Sequence, residues 1–118
     1  MRLKEIIDIL DASIIYINDA SLYNHQYNNA FASDLMSDAL ALVQEDNDST
    51  LFITGLTNPQ TLRTAEMLDL SVIIYVRHKM PDDKQIAMAK NLGITLLSVK
   101  DTMFQTCGKL YQAGLHND

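Results

Sequence analysis

The sequence predicts a three-layer α/β domain, a mostly parallel sheet with helices on both faces, over residues 1–118. From Thr50 onward strand-like and helix-like segments alternate, the order that builds parallel strands joined by crossover helices. The strand-like runs TLFIT, SVIIYV and ITLLSV are apolar at nearly every position instead of every second one, as expected of strands buried on both faces. The 4 glycines and 2 prolines fall almost entirely at element boundaries and no stretch reads as a linker, so the 118 residues are expected to form one domain.

Leu3, Ile6, Ile7 and Leu10 recur at helical spacing, which predicts a short amphipathic helix over residues 2–11. Ser13 to Ile17 is a compact β-rich run, followed by turn formers at Asn18, Asp19, Ala20 and Ser21. The Asn-rich patch from Tyr23 to Asn29 is expected to be a loop. It leads into a half-buried strand over Tyr27 to Ala32, with Tyr27, Asn29 and Phe31 on one face and Asn28, Ala30 and Ala32 on the other. Ser33 or Asp34 then caps a helix whose apolar positions are Leu35, Met36, Ala39, Leu40 and Val43.

Gln44 to Ser49 reads as an acidic turn and Thr50 to Thr54 as a short buried strand. After a loop from Gly55, Asn58 serves as N-cap and Pro59 takes the first helical position, where its missing N–H costs nothing; that helix runs to about Leu68. Ser71 to Val76 is the next strand. Asp82 and Gln85 have the spacing of a capping box for a helix that stops at Gly93. Ile94 to Val99 is the last strand, and Asp101 starts a helix with Met103, Phe104, Cys107, Leu110 and Tyr111 on one face, ending near Gly114.

Charge and composition exclude several functions. A net charge of −6 with only 9 Lys and Arg disfavours nucleic acid and anionic membrane surfaces, both of which need clustered cations. The single cysteine, Cys107, excludes an intrachain disulfide and a cysteine-based metal cluster; on an apolar helix face it reads as a core thiol. The N-terminus MRLKEIIDIL lacks the apolar core of a signal peptide and no apolar run has the length of a membrane span, so a soluble cytoplasmic protein is expected. Gly55 stands alone in its loop and no phosphate-binding Gly-x-x-x-x-Gly-Lys run exists, against an NTPase. His25, His78 and His116 lack ligand spacing, so neither a metal nor another cofactor is expected.

SDLMSDALA, TLFITG and LDLSVIIYVRHKMPDDKQIAMAKNLGITLLSV, followed by an amphipathic helix, resemble the DRTGG domain family in order and spacing from Ala30 to Leu115. Domains of that family are similar to the N-terminal domain of HPr kinase/phosphorylase. They occur inside long phosphotransacetylases and between CBS modules of some pyrophosphatases, and stand-alone copies often accompany iron-hydrogenase genes. The resemblance implies an α/β fold, pairing into homodimers, and a non-catalytic accessory or regulatory role beside a metabolic enzyme. The signature itself departs from the family: Asn24 and His25 stand where its Asp and Arg would be, and Asn28 and Asn29 where its Thr and first Gly would be. The charge pair is gone, while Asn29 is a residue that tolerates the left-handed turn a glycine would make. Family members often carry glycines where Arg77 and His78 stand.

Three sets of residues are candidates for a site, and none is nominated as catalytic. In parallel α/β sheets ligands sit beyond the carboxyl ends of the strands. That edge gathers Thr57, Asn58, Arg77, His78, Lys79, Ser98 and Lys100, with helix N-termini at Asn58 and Asp101, a composition suited to an anion or nucleotide. The plainer account is that loop cations are solvated. Asp34 and Asp38, one turn apart, present two carboxylates, or simply a cap and an exposed acid in a helix's first turn. Tyr27 and Phe31 on the edge segment, with Ser33 behind them, are expected to serve the structure or a dimer surface, because an edge strand has to be covered or paired. The first functional expectation is thus a homodimeric accessory domain, and the second a sensor of a small anion at the carboxyl edge.

Overall fold

The computed structural model describes residues 1–41 and 47–115. The expected helix position Val43, the Gln44 to Asp46 part of the acidic turn and His116 lie outside the described residues. In chain order the elements are α1 (Leu3–Leu10), β1 (Ser13–Tyr16), a 3₁₀ helix (Ala20–Asn24), β2 (Asn29–Ala32), α2 (Met36–Ala41), β3 (Thr50–Thr54), α3 (Pro59–Met67), β4 (Val72–Tyr75), α4 (Asp83–Leu92), β5 (Thr95–Ser98) and α5 (Met103–Gln112).

The five strands form one sheet in the order β1-β5-β4-β3-β2. β2 to β5 are parallel and follow the chain, while β1 closes the far edge antiparallel to β5. Parallel strands laid down in sequence by crossovers of one hand must put their helices on one side. Accordingly Met36 and Ala39 of α2, Leu62 and Ala65 of α3, and Ala89 of α4 pack with Phe52, Ile73, Tyr75 and Leu96. The opposite face is covered by α1 and α5, through Leu3, Ile6, Leu10 and Leu110 against Leu51, Ile53, Val72, Ile74 and Leu97. Both faces of β3, β4 and β5 are therefore buried, which is why these runs have no polar alternation.

Local signals act as expected at several termini. Asn58 Oδ1 accepts the Thr61 N–H at 3.0 Å, with Pro59 at the first position of α3. Gly93 ends α4 with φ 72°, and Thr102 and Gln105 form a full capping box on α5, one residue later than the expected start at Asp101. Asp82 accepts the Gln85 N–H at 2.8 Å, but the Gln85 side chain leaves the box to bind Thr57, so half of that motif does a tertiary job.

Four expectations are corrected. Part of the Tyr23 to Asn29 loop is a 3₁₀ helix, Ala20–Asn24. The edge strand begins at Asn29, and Tyr27 precedes it: Tyr27 is fully buried, its N–H bonded to the Met1 carbonyl at 2.7 Å, and it packs with the α1 layer instead of sharing a face with Phe31. The chain there is pinned to the N-terminus and not to β3, so strand alternation does not extend back to it. Asn29 is an ordinary strand residue opposite Thr50 and not left-handed. Finally, α5 is rotated relative to its apolar pattern: Thr106 and Leu110 are buried, whereas Phe104 is 88% and Tyr111 63% exposed.

Candidate functional site at the carboxyl edge of the sheet

The connection after β4 leads to α4 on one face and that after β5 to α5 on the other, so the sheet's topological switch point lies between the carboxyl ends of β4 and β5. Arg77, His78 and Lys79 follow β4 there, and Lys100 follows β5. Instead of an open crevice, the two loops are joined by main chain. The Arg77 N–H binds Asp101 O at 2.8 Å, the His78 N–H binds Val99 O at 2.7 Å, and Ser98 Oγ donates to Lys79 O at 3.1 Å. These bonds hold Arg77 and His78 with φ of 57° each, a left-handed conformation that costs about 1–2 kcal/mol per non-glycine residue. The Arg77, His78 and Lys79 N–H groups are spent on main-chain carbonyls, so any anion here would have to be held by side chains. Arg77, His78, Lys79 and Lys100 are exposed, and among the described residues no carboxylate pairs with them. Asp101, which would repel an anion, is ion-paired with Lys109.

The neighbouring β3–α3 loop is the hub of the edge. Asp34 Oδ1 accepts the Gly55 N–H at 2.6 Å and the Thr54 hydroxyl at 3.2 Å. The Arg77 guanidinium lies over Gly55, with Nη2 2.9 Å from where a Cβ would stand. Thr57 O accepts Gln85 Nε2 from α4 at 3.1 Å, and Leu56 O accepts the Thr61 hydroxyl at 2.9 Å. Thr54, Tyr75 and Ser98 stand side by side in register beneath this loop and the β4 turn. Tyr75 is fully buried, and among the described residues neither its hydroxyl nor Gln85 Oε1 has a hydrogen-bond partner. Burial in this apolar layer pushes the Tyr75 phenol far above its ordinary pKa.

Of the expected ligand residues, the structure assembles Thr57 and Arg77 about Gly55, with His78, Lys79 and Lys100 on the adjoining turns. Asn58 is committed to capping α3 and Ser98 to Lys79 O. Asp34 joins this site as a support for Gly55 and does not cap α2; Ser33 Oγ instead accepts the Leu35 N–H at 3.0 Å at the entrance to that helix. Asp34 and Asp38 do not act as a pair, since Asp34 turns toward β3 and Asp38 sits exposed in the first turn of α2. Sequence reading missed Gly55, Tyr75 and Gln85. The lone loop glycine was a signal for close approach; a core Tyr and a helix Gln carried none.

Near the β2 edge a groove of about 160 Å³ is lined by Ala30, Phe31, Ala32, Ile53, Cys107, Tyr111 and Leu115. Phe31 also packs on Phe52 with ring centroids 5.0 Å apart. Cys107 is half-buried, not a core thiol, and its partial burial raises its pKa. Among the described residues no helix is long and apolar enough to cross a membrane, and no group of three or more acidic, His or Cys side chains is arranged to hold a metal ion.

No family model matches the sequence, and no curated protein is similar to it. Its fold is similar to a solved structure of the CBS and DRTGG domains of the regulatory region of Clostridium perfringens pyrophosphatase, complexed with the activator diadenosine tetraphosphate. The TM-score is 0.73 at 18% sequence identity, over 99% of this chain and 51% of the other. The chain thus spans about half the length of that structure, and its five-stranded, mostly parallel sheet is consistent with a DRTGG-like α/β fold.

Proposed function

We propose that this chain is a non-catalytic regulatory domain that senses a small anionic ligand, of the nucleotide or phosphorylated-metabolite class, at the carboxyl edge of its sheet. The observation that carries the reading is the β4–α4 turn. Arg77 and His78 are held in a strained left-handed conformation by two short main-chain bonds, and Arg77 is thereby set over Gly55 without a carboxylate pairing with it among the described residues. Backbone strain at exposed cationic residues is maintained against its cost, and in a chain of net charge −6 a cluster of unpaired cations is a local reversal of the field. The likeness of fold to a pyrophosphatase regulatory region crystallised with a nucleotide activator supports the same reading. The test is a thermal-shift screen of nucleotides and phosphorylated metabolites. A rise in melting temperature that Arg77→Ala abolishes is expected; a flat screen at millimolar ligand contradicts the reading.

A second reading, compatible with the first, is a homodimer that acts beside a metabolic enzyme. It is supported by the position of β2 at the sheet edge, by the absence of a charged or proline residue in its sequence NAFA to discourage pairing, and by the 88% exposed Phe104 on α5. Light scattering at tens of micromolar tests it, with a strictly monomeric protein counting against it.

A further inference from the structure

The cations of the carboxyl edge have an acidic neighbour. β5, β4, β3 and β2 lie side by side in that order and are all parallel, so the residues that follow them form a row along one edge. Lys100 follows β5; Arg77, His78 and Lys79 follow β4; Gly55 follows β3 and Asp34 follows β2. The row runs from cationic to acidic, with a residue that has no side chain between. Asp101, the acid beside Lys100, is ion-paired with Lys109.

Arg77 crosses the gap. Its Nη2 lies 2.9 Å from the point where a Gly55 Cβ would stand, and Asp34 Oδ1 and Oδ2 lie 3.3 and 3.5 Å from the same point. Guanidinium and carboxylate are therefore about 6 Å apart or less, the range in which one charge alters what the other binds. The carboxylate is the fixed member, since Oδ1 accepts the Gly55 N–H at 2.6 Å and the Thr54 hydroxyl at 3.2 Å. Asp34 and Arg77 are both exposed, so a ligand arriving from solvent meets both. An anion held by Arg77 has Lys100 toward one side and a fixed negative charge toward the other.

We propose that Asp34 is the specificity-determining residue of this edge. It turns the anion on Arg77 toward Lys100 and keeps a second anionic group off the β2 side, so that the site discriminates against polyphosphates in favour of compounds with a single phosphate. The inference rests on the anion-sensing reading above and adds the charge of the ligand. A unit charge about 7 Å away in water changes affinity roughly threefold for each charge on the ligand, and salt reduces the effect.

The experiment is calorimetric titration of the full chain with inorganic phosphate and with tripolyphosphate at low ionic strength, on the wild type and on Asp34→Asn, Asp34→Glu, Lys100→Ala and Arg77→Ala. Asparagine keeps an oxygen for the Gly55 N–H and removes the charge; melting curves check that each variant folds. Asp34→Asn is expected to tighten tripolyphosphate about threefold or more beyond any change in phosphate. Asp34→Glu, which keeps the charge, should retain the wild-type ratio of the two affinities. Lys100→Ala tests the other end of the row without touching Asp34, and should weaken tripolyphosphate more than phosphate. A wild-type ratio in Asp34→Asn, a change that Asp34→Glu shares, or, if Asp34→Asn does not fold, a wild-type ratio in Lys100→Ala overturns this inference and leaves the anion-sensing reading standing. Absence of binding by both probes, or binding that Arg77→Ala retains, overturns both.

Discussion

Arg77 reaches the centre of the carboxyl edge because residue 55 is a glycine. A Cβ at Gly55 would stand 2.9 Å from Arg77 Nη2 and 3.3 Å from Asp34 Oδ1. Gly55 does not adopt the left-handed backbone that glycine favours, so its role is space and not conformation.

Gly55→Ala should separate those roles. The clashing atom nearest the new methyl is the far end of a flexible arginine, and alanine reduces unfolded-state entropy, so stability should stay within about 1 kcal/mol of the wild type. The anion-induced thermal shift should fall to the level of Arg77→Ala. Urea titration beside the ligand screen checks both; a stability loss above about 2 kcal/mol would show that the contact is chiefly structural.

Relieving the strained turn should have the opposite sign. Arg77→Gly and His78→Gly each replace a left-handed residue at φ 57° with one that adopts it freely, and each should raise stability by about 1 kcal/mol. Arg77→Gly should also lose the anion response, a gain in stability at the expense of function. An unchanged or lower urea midpoint would mean that the surrounding bonds, not the residue type, determine the energy of the turn.

The two aspartates of the α2 region should differ. Asp34→Ala deletes the acceptor of the Gly55 N–H and the Thr54 hydroxyl and should cost about 1–2 kcal/mol. Asp38→Ala removes an exposed acid from the first turn of a short helix and should cost about 0.5 kcal/mol or less. Equal losses in a urea series would overturn the assignment of Asp34 to the β3–α3 loop.

Alkaline pH should expose the buried tyrosines. Burial raises the folded-state pKa of both Tyr27 and Tyr75 above the ordinary value near 10, so the folded chain keeps protons that the unfolded chain releases. The stabilising contribution is fully present below about pH 10 and declines as pH rises beyond it. Tyr75→Phe should flatten that decline more than Tyr27→Phe, because Tyr27 retains a hydrogen bond to Ser71 Oγ at 3.1 Å. Stability measured by urea unfolding between pH 8 and about 11 checks the order.

Local chemistry made much of the fold legible. The buried strands at Thr50, Val72 and Thr95, the cap at Asn58, the stop at Gly93 and the parallel pairing of the strands from Thr50 onward depend on residue type and short-range periodicity, and these signals survive in any packing. Where a signal had two uses, tertiary contact chose. Gln85 fits a capping box by spacing yet serves Thr57, and Asp34 fits an N-cap yet serves Gly55. Tyr27 alternates correctly for a strand yet is drawn under α1 by the pinned N-terminus.

The sequence by itself determined the three-layer class, the burial of the central strands and the presence of cations beyond their carboxyl ends. Only the tertiary structure decided that α5 crosses to the face opposite α4, that main-chain bonds close the resulting switch point, and that Arg77 and Asp34 come together at Gly55 while Gln85 reaches Thr57. The reason is physical. Hydrophobic periodicity selects secondary structure within a few residues, but a close approach across three loops depends on where the ends of separate strands are brought by sheet register, and no local pattern encodes that.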